Sequence, residues 1–143
     1  MRNRPVNELR LEFDSKSENE SFARYAVSAF ICPLDPTVGE VADVRTVVSE
    51  AVTNCVVHAY REKPGKIYIR VSWDEKRRVT IRVKDKGCGI ADLEQSMRPL
   101  WTSDKSGERG GMGFTIMDSF TDKLTVKTAL GRGTTVTMVK KLS

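Results

Sequence analysis

The chain has 143 residues, 39% of them apolar and 30% charged, with a formal net charge of +5. That length and balance exclude a disordered chain and suit one soluble domain with a single hydrophobic core, spanning 1–143. The basic residues form no run of five or more, so the charge fits an acidic protein partner or an anionic nucleotide and gives direct nucleic-acid binding no support.

Leu9, Leu11 and Phe13 alternate with charged residues and predict a first strand. Ser15-Lys16-Ser17-Glu18 and Ser17-Glu18-Asn19-Glu20 both fit the S-x-x-E capping box that opens a helix. Phe22, Ala26, Ala29 and Phe30 then recur at helical spacing as its expected buried face, and Pro33 and Pro36 end it. A further capping box at Thr37-Val38-Gly39-Glu40 predicts a long helix. Its stripe is Val41, Val44, Val48, Ala51, Val52, Cys55 and Ala59, and Pro64-Gly65 stops it.

A hairpin follows, with Ile67, Ile69, Val71 and Trp73 on one arm and Val79, Ile81 and Val83 on the other. A long loop leads to Gly110-Gly111-Met112-Gly113 and a short helix marked by Phe114, Ile116, Met117 and Phe120. A closing hairpin pairs Leu124 and Val126 with Thr134, Val136 and Met138 around Gly131-Arg132-Gly133. The order β-α-α-β-β-loop-α-β-β predicts an α+β, two-layer α/β sandwich: a mostly antiparallel sheet with helices on one face. The open face would carry Arg70, Arg82, Lys84, Lys123 and Lys127 into solvent.

The cysteines, Cys32, Cys55 and Cys88, are odd in number and form no C-x-x-C, which argues against a disulfide framework or a zinc site. With His58 the sole histidine, reduced thiols in a cytoplasmic protein fit best. No apolar stretch is long enough to span a membrane.

Four segments can carry chemistry. Glu50 and Asn54 lie four apart and share a helix face. A carboxylate there can accept a proton from a nucleophile, and an amide oxygen beside it can ligate Mg²⁺. In Asp85-Lys86-Gly87-Cys88-Gly89, strand alternation turns Asp85 to the covered side, where a carboxylate needs a donor such as the exocyclic amino group of adenine. Gly87 and Gly89 would let backbone approach a flat ligand. Arg109 and Gly110-Gly111-Met112-Gly113 precede a helix, an arrangement suited to phosphate, although the spacing fits neither the P-loop nor the Rossmann fingerprint. Thr134 falls in register on the covered side, where its hydroxyl could bond to Asp85 or to a base. Each segment alone reads as readily as a polar helix face, a turn, a flexible loop or a hairpin.

In this order the four segments resemble the GHKL ATPase superfamily: an N box with Glu and Asn four apart, a D-x-G-x-G box, a glycine-rich lid end and a late G-T. The segments around Ser17–Arg24, Val47–Asn54 and Gly111–Met117 look like its anti-sigma kinase branch in the sporulation form, with the stress-response form as the nearest rival. The resemblance implies the Bergerat type of sandwich and a serine kinase using ATP/ADP and Mg²⁺. It implies Glu50 as base, Asn54 on Mg²⁺, and Asp85 with Thr134 on adenine. Gly87 and Gly89 would lie against the nucleotide, Gly111 and Gly113 on phosphate, and Arg109 on the γ-phosphate. Arg24 would belong to a partner surface. The implied partners are an F-type sigma factor, an anti-anti-sigma protein phosphorylated on serine, and a second copy of the chain as a homodimer. Two places depart from the pattern: relatives often carry T-T-K in the lid where this chain has Trp101-Thr102-Ser103-Asp104-Lys105, and Cys88 stands inside the D-x-G-x-G box.

Overall fold

The computed structural model describes residues 5–91 and 113–143. Strand β1 (Asn7–Asp14) leads to helices α1 (Asn19–Ile31) and α2 (Val38–Thr53), and α2 runs on into a π-turn over Asn54–Ala59. The hairpin of β2 (Lys66–Trp73) and β3 (Arg78–Asp85) follows, then α3 (Phe114–Ser119) and the hairpin of β4 (Lys123–Ala129) and β5 (Gly133–Lys141). The five strands form one antiparallel sheet in the order β1-β2-β3-β5-β4. The expected α+β sandwich and element order are therefore observed.

Alternation sorts the strands into two faces. Ile67, Ile69, Val71, Val79, Ile81, Val83, Val136 and Met138 are buried beneath the helices. Arg70, Arg82, Lys84, Lys123 and Lys127 stand exposed on the other face. Each buried aliphatic side chain contributes roughly 1.5–3 kcal/mol, so truncating Ile81, at the centre of the sheet, would cost about 2–5 kcal/mol.

Helix α2 starts as its sequence predicts. The Glu40 N–H donates to Thr37 Oγ1 (3.1 Å) and the Thr37 N–H donates to Glu40 Oε1 (2.9 Å), a complete capping box. Helix α1 does not. Glu18 occupies its N-cap position without a side-chain cap. The carboxylate that would close the second box, Glu20, is turned away: it pairs with Arg24 (2.8 Å) and accepts from Ser49 Oγ on α2 (2.6 Å). A charge-assisted pair outcompetes a reach back to a neutral backbone amide.

The buried face of α1 also differs from expectation. Ala23, Val27 and Ile31 are fully buried, whereas Phe22 is 56% exposed and Ala29 is exposed. Spacings of four admit either set, and the structure buries the one carrying Ala23, Val27 and Ile31. Phe30 still packs inward, its ring centroid 4.7 Å from that of Trp73. On α2 the buried stripe is Val44, Val47, Val48, Ala51, Val52, Cys55 and Val56, with Ala59 only half-buried. The π-turn inserts an extra residue per turn at Asn54, so the α-helical stripe does not carry through to residue 59.

Candidate functional site

The functional side chains gather where the end of α2, the end of β3 and the start of β5 meet. Asp85 is the last residue of β3 and lies opposite Ile67 on β2 and Thr134 on β5. It is only 5% exposed. Its Oδ1 accepts the N–H groups of Gly87 (2.9 Å) and Thr134 (3.2 Å), and its Oδ2 accepts the Cys55 thiol (3.6 Å). Burial pushes its pKa up, and these three donors oppose the rise. A buried carboxylate so arranged is an acceptor waiting for a polar donor.

The glycines bring backbone close to it. A Cβ on Gly87 would fall 2.5 Å from the Ala59 carbonyl oxygen, and the next residue, Cys88, donates its N–H to that same carbonyl (3.0 Å). A Cβ on Gly89 would fall 2.5 Å from the Ala129 carbonyl oxygen. The segment after β3 is thus pressed between the end of α2 and the end of β4. Tyr60 clips the same junction, since its hydroxyl donates to the Lys66 carbonyl (2.6 Å) and accepts the Lys86 N–H (2.7 Å).

Thr134 is buried as its register predicts, but its hydroxyl does not bond to Asp85. Its backbone N–H makes that contact, while its Oγ1 lies 2.9 Å from Thr128 Oγ1. Thr128 also accepts the Ile90 N–H (2.9 Å), so one hydroxyl on β4 ties both walls together. Thr128 was not legible as a site residue; the only signal was its position opposite Thr134 in the closing hairpin.

At the other end, the Asn54 N–H donates to the carbonyls of Glu50 and Ala51, so Glu50 and Asn54 keep the shared face that their spacing predicts. Gly113, in the left-handed region at φ 71°, packs directly against Glu50: a Cβ there would overlap Glu50 Oε2. Only glycine meets both the backbone angle and the contact. Arg109 and Gly111 lie outside the described residues, as does the lid region. Arg24 is half-buried on α1, paired with Glu20 and 5.0 Å over the Tyr25 ring. Through Glu20 it is joined to Ser49, the residue before Glu50.

The Asn54 amide fits an Mg²⁺ ligand. Its Nδ2 is buried with no hydrogen-bond partner among the described residues. No internal acceptor therefore fixes the amide, and its oxygen can be turned toward a hard cation. Among the described residues no cluster of three or more His, Cys, Asp or Glu could hold a metal, and Mg²⁺ needs none, because it is usually held by one or two protein oxygens together with substrate phosphates.

Asn54, Cys55, His58, Asp85, Phe114 and Thr134 line one cleft, with a volume of about 20 Å³ between its walls. A larger concavity of about 510 Å³ lies on the open sheet face among Arg10, Tyr68, Arg70, Arg82 and Lys84. Its lining is mostly basic, with Glu12 among it, and it lies on the sheet face opposite the one that buries Asp85.

The histidine kinase-like ATPase domain family matches residues 14–140. The anti-sigma F factor of Pasteuria penetrans is 53% identical over 137 residues, covering 95% of this chain and 91% of its own. That of Bacillus subtilis is 47% identical over 138 residues, covering 96% of this chain and 94% of its own. Among solved structures, the RsbU and RsbW domains of Rv1364c from Mycobacterium tuberculosis superpose with a TM-score of 0.70 at 18% identity, over 96% of this chain and 33% of that one. That likeness concerns the fold. With relatives of this identity over nearly its whole length, the chain belongs to the anti-sigma F factors, within the histidine kinase-like ATPase family.

Proposed function

We propose that this chain is a protein serine kinase that holds an F-type sigma factor inactive with ATP bound, and that phosphorylates the sigma factor's anti-anti-sigma antagonist. The observation that carries the nucleotide reading is Asp85. Its Oδ1 is saturated by two backbone N–H groups, and the remaining oxygen has a single weak thiol donor among the described residues. The exocyclic amino group of adenine is the donor such a carboxylate lacks.

Glu50 is the base in this reading. As a serine oxygen of the antagonist attacks the γ-phosphorus of ATP, the hydroxyl proton passes to the Glu50 carboxylate. The new Ser O–P bond forms as the bond to the ADP oxygen breaks, and ADP leaves. Positioning and charge do most of this work. Asn54 would hold Mg²⁺, which neutralises phosphate charge when bound. Arg109 would meet the γ-phosphate, and Gly87, Gly89, Gly111 and Gly113 would line the nucleotide.

Arg24 would serve the partner surface. Its link through Glu20 to Ser49 supports a connection between that surface and the catalytic helix. The phosphate added to the antagonist brings about −1.5 to −2 charges, enough to break a tight interface and so switch partners. A homodimer completes the reading.

The test uses the purified chain, γ-labelled ATP, Mg²⁺, the sigma factor and the antagonist. Label on a serine of the antagonist, and sigma capture on native gels with ATP, are the expected results. ATP-dependent capture without any label would leave a nucleotide-dependent binding module and remove the kinase.

A further inference from the structure

The π-turn does more than end a helix. By inserting one residue per turn at Asn54, it brings Cys55, 3% exposed, against the end of β3. There the Cys55 Sγ lies 3.6 Å from Asp85 Oδ2. The other carboxylate oxygen is committed to Gly87 and Thr134, so the thiol is what orients Oδ2 among the described residues.

We infer that Cys55 is a positioning residue for base recognition: its thiol donates to Asp85 Oδ2 and fixes the plane of the carboxylate, presenting the remaining lone pair to the 6-amino group of a purine. This inference rests on the nucleotide reading above and names a residue through which that reading works.

The chemistry suits the role. Cys55 is buried with its Sγ 3.6 Å from Asp85 Oδ2, the placement of an S–H donor to a carboxylate oxygen. The same burial makes it a poor nucleophile, which separates this role from redox or covalent chemistry. Among the described residues, His58 lines the cleft from the π-turn, the Tyr60 hydroxyl accepts the N–H of Lys86, the residue after Asp85, and β2 and β5 set Ile67 and Thr134 opposite. Without the thiol, Asp85 loses one of the three donors that hold its pKa down against burial.

The experiment is calorimetric titration of the full chain with Mg-ADP and with Mg-IDP, which carries a 6-oxo group, between pH 4.5 and 8. Wild type, Cys55→Ala and Cys55→Ser are compared, with Cys55→Val as a second donor-free variant should the alanine one not fold. In the donor-free variants ADP affinity should fall about three- to tenfold, the scale of one hydrogen bond. The preference for ADP over IDP should shrink with it, and the acid limb of binding should move to higher pH. Serine should bring affinity back to within about twofold and restore the acid limb. Wild-type affinity, preference and acid limb in a folded donor-free variant would overturn the inference. Equal losses in alanine and serine with an unmoved acid limb would also overturn it, leaving Cys55 as packing. If wild type itself binds no ADP, the nucleotide reading fails first.

Discussion

At one end of the cleft Asp85 is gripped by backbone: the N–H groups of Gly87 and Thr134 hold Oδ1, and glycines press the chain against it. Asn54, also in the cleft lining, shares a helix face with Glu50, which packs against Gly113 where α2 opens into the π-turn. The first is assembled at strand ends, and in the proposed function it recognises the base. The second depends on side-chain functional groups, and in the proposed function it acts. Substitutions at the two ends should therefore fail in different measurements.

The sharpest break comes at the acting end. Glu50→Gln keeps size and part of the hydrogen bonding but removes the basic carboxylate. Phosphoryl transfer to the antagonist should fall about 10²–10⁴-fold. ADP affinity and ATP-dependent sigma capture should stay near wild type, because neither needs a base. Titration, native gels and a labelled-transfer assay on one preparation measure all three. Transfer at the wild-type rate would remove Glu50 as base. Lost sigma capture with intact ATP binding would assign it a switching role instead.

The recognising end should show the reverse. Asp85→Asn still offers an oxygen to Gly87 and Thr134 but replaces the acceptor for the base. ADP affinity should drop by about 2–3 kcal/mol, roughly 30- to 150-fold, as a charge-assisted bond is lost. Stability without nucleotide should move the other way. Burial raises the Asp85 pKa above its unfolded value, so the stability tied to its protonated form is complete below the unfolded value and is lost as pH rises through the folded one. The asparagine variant has no such loss. Its thermal midpoint without nucleotide should match or exceed wild type at pH 7, and the difference should narrow toward pH 4. A variant less stable than wild type at pH 7 would show that the charge is better satisfied inside the protein than its burial implies.

The same contrast governs what could be read from the sequence. Strands and their inward register were legible because alternation has a period of two and a one-residue slip would turn every apolar side chain to water. That placed Asp85 and Thr134 correctly. The shared face of Glu50 and Asn54 was legible from their spacing. The π-turn was not, because nothing in Asn54-Cys55-Val56-Val57-His58-Ala59 breaks α-helical propensity. Cys55 consequently read as one more stripe residue. The buried face of α1 is ambiguous between two sets four apart, and only tertiary packing decides for Ala23, Val27 and Ile31. The Thr134 hydroxyl was assigned to Asp85 or a base, since register fixes which side a residue faces but not which neighbour claims its hydrogen bond.

Thr128 lies between the two kinds of effect. Its hydroxyl accepts the Ile90 N–H and also meets Thr134 Oγ1 and the Gly133 carbonyl. Thr128→Val keeps the shape and strands the Ile90 amide, which should cost about 1–2 kcal/mol of stability. ADP affinity should change by less than in Asp85→Asn. Chemical denaturation and ADP titration of the same sample measure both.

Thr134→Val should have the smallest effect, and it tests most directly whether backbone or side chain does the work at the recognising end. The substitution leaves the N–H that donates to Asp85 Oδ1 in place and preserves the β-branched shape within β5. It removes one hydroxyl–hydroxyl contact, and Thr128 can still donate to the Gly133 carbonyl at 3.3 Å. The position is 7% exposed, so valine adds apolar burial that partly offsets the lost bond. Stability should change by no more than about 1 kcal/mol and ADP affinity by no more than about fivefold. A loss as large as that of Asp85→Asn would mean that the Thr134 hydroxyl, once nucleotide is bound, leaves Thr128 and contacts the base or the carboxylate. The recognising end would then owe as much to side chains as the acting end does.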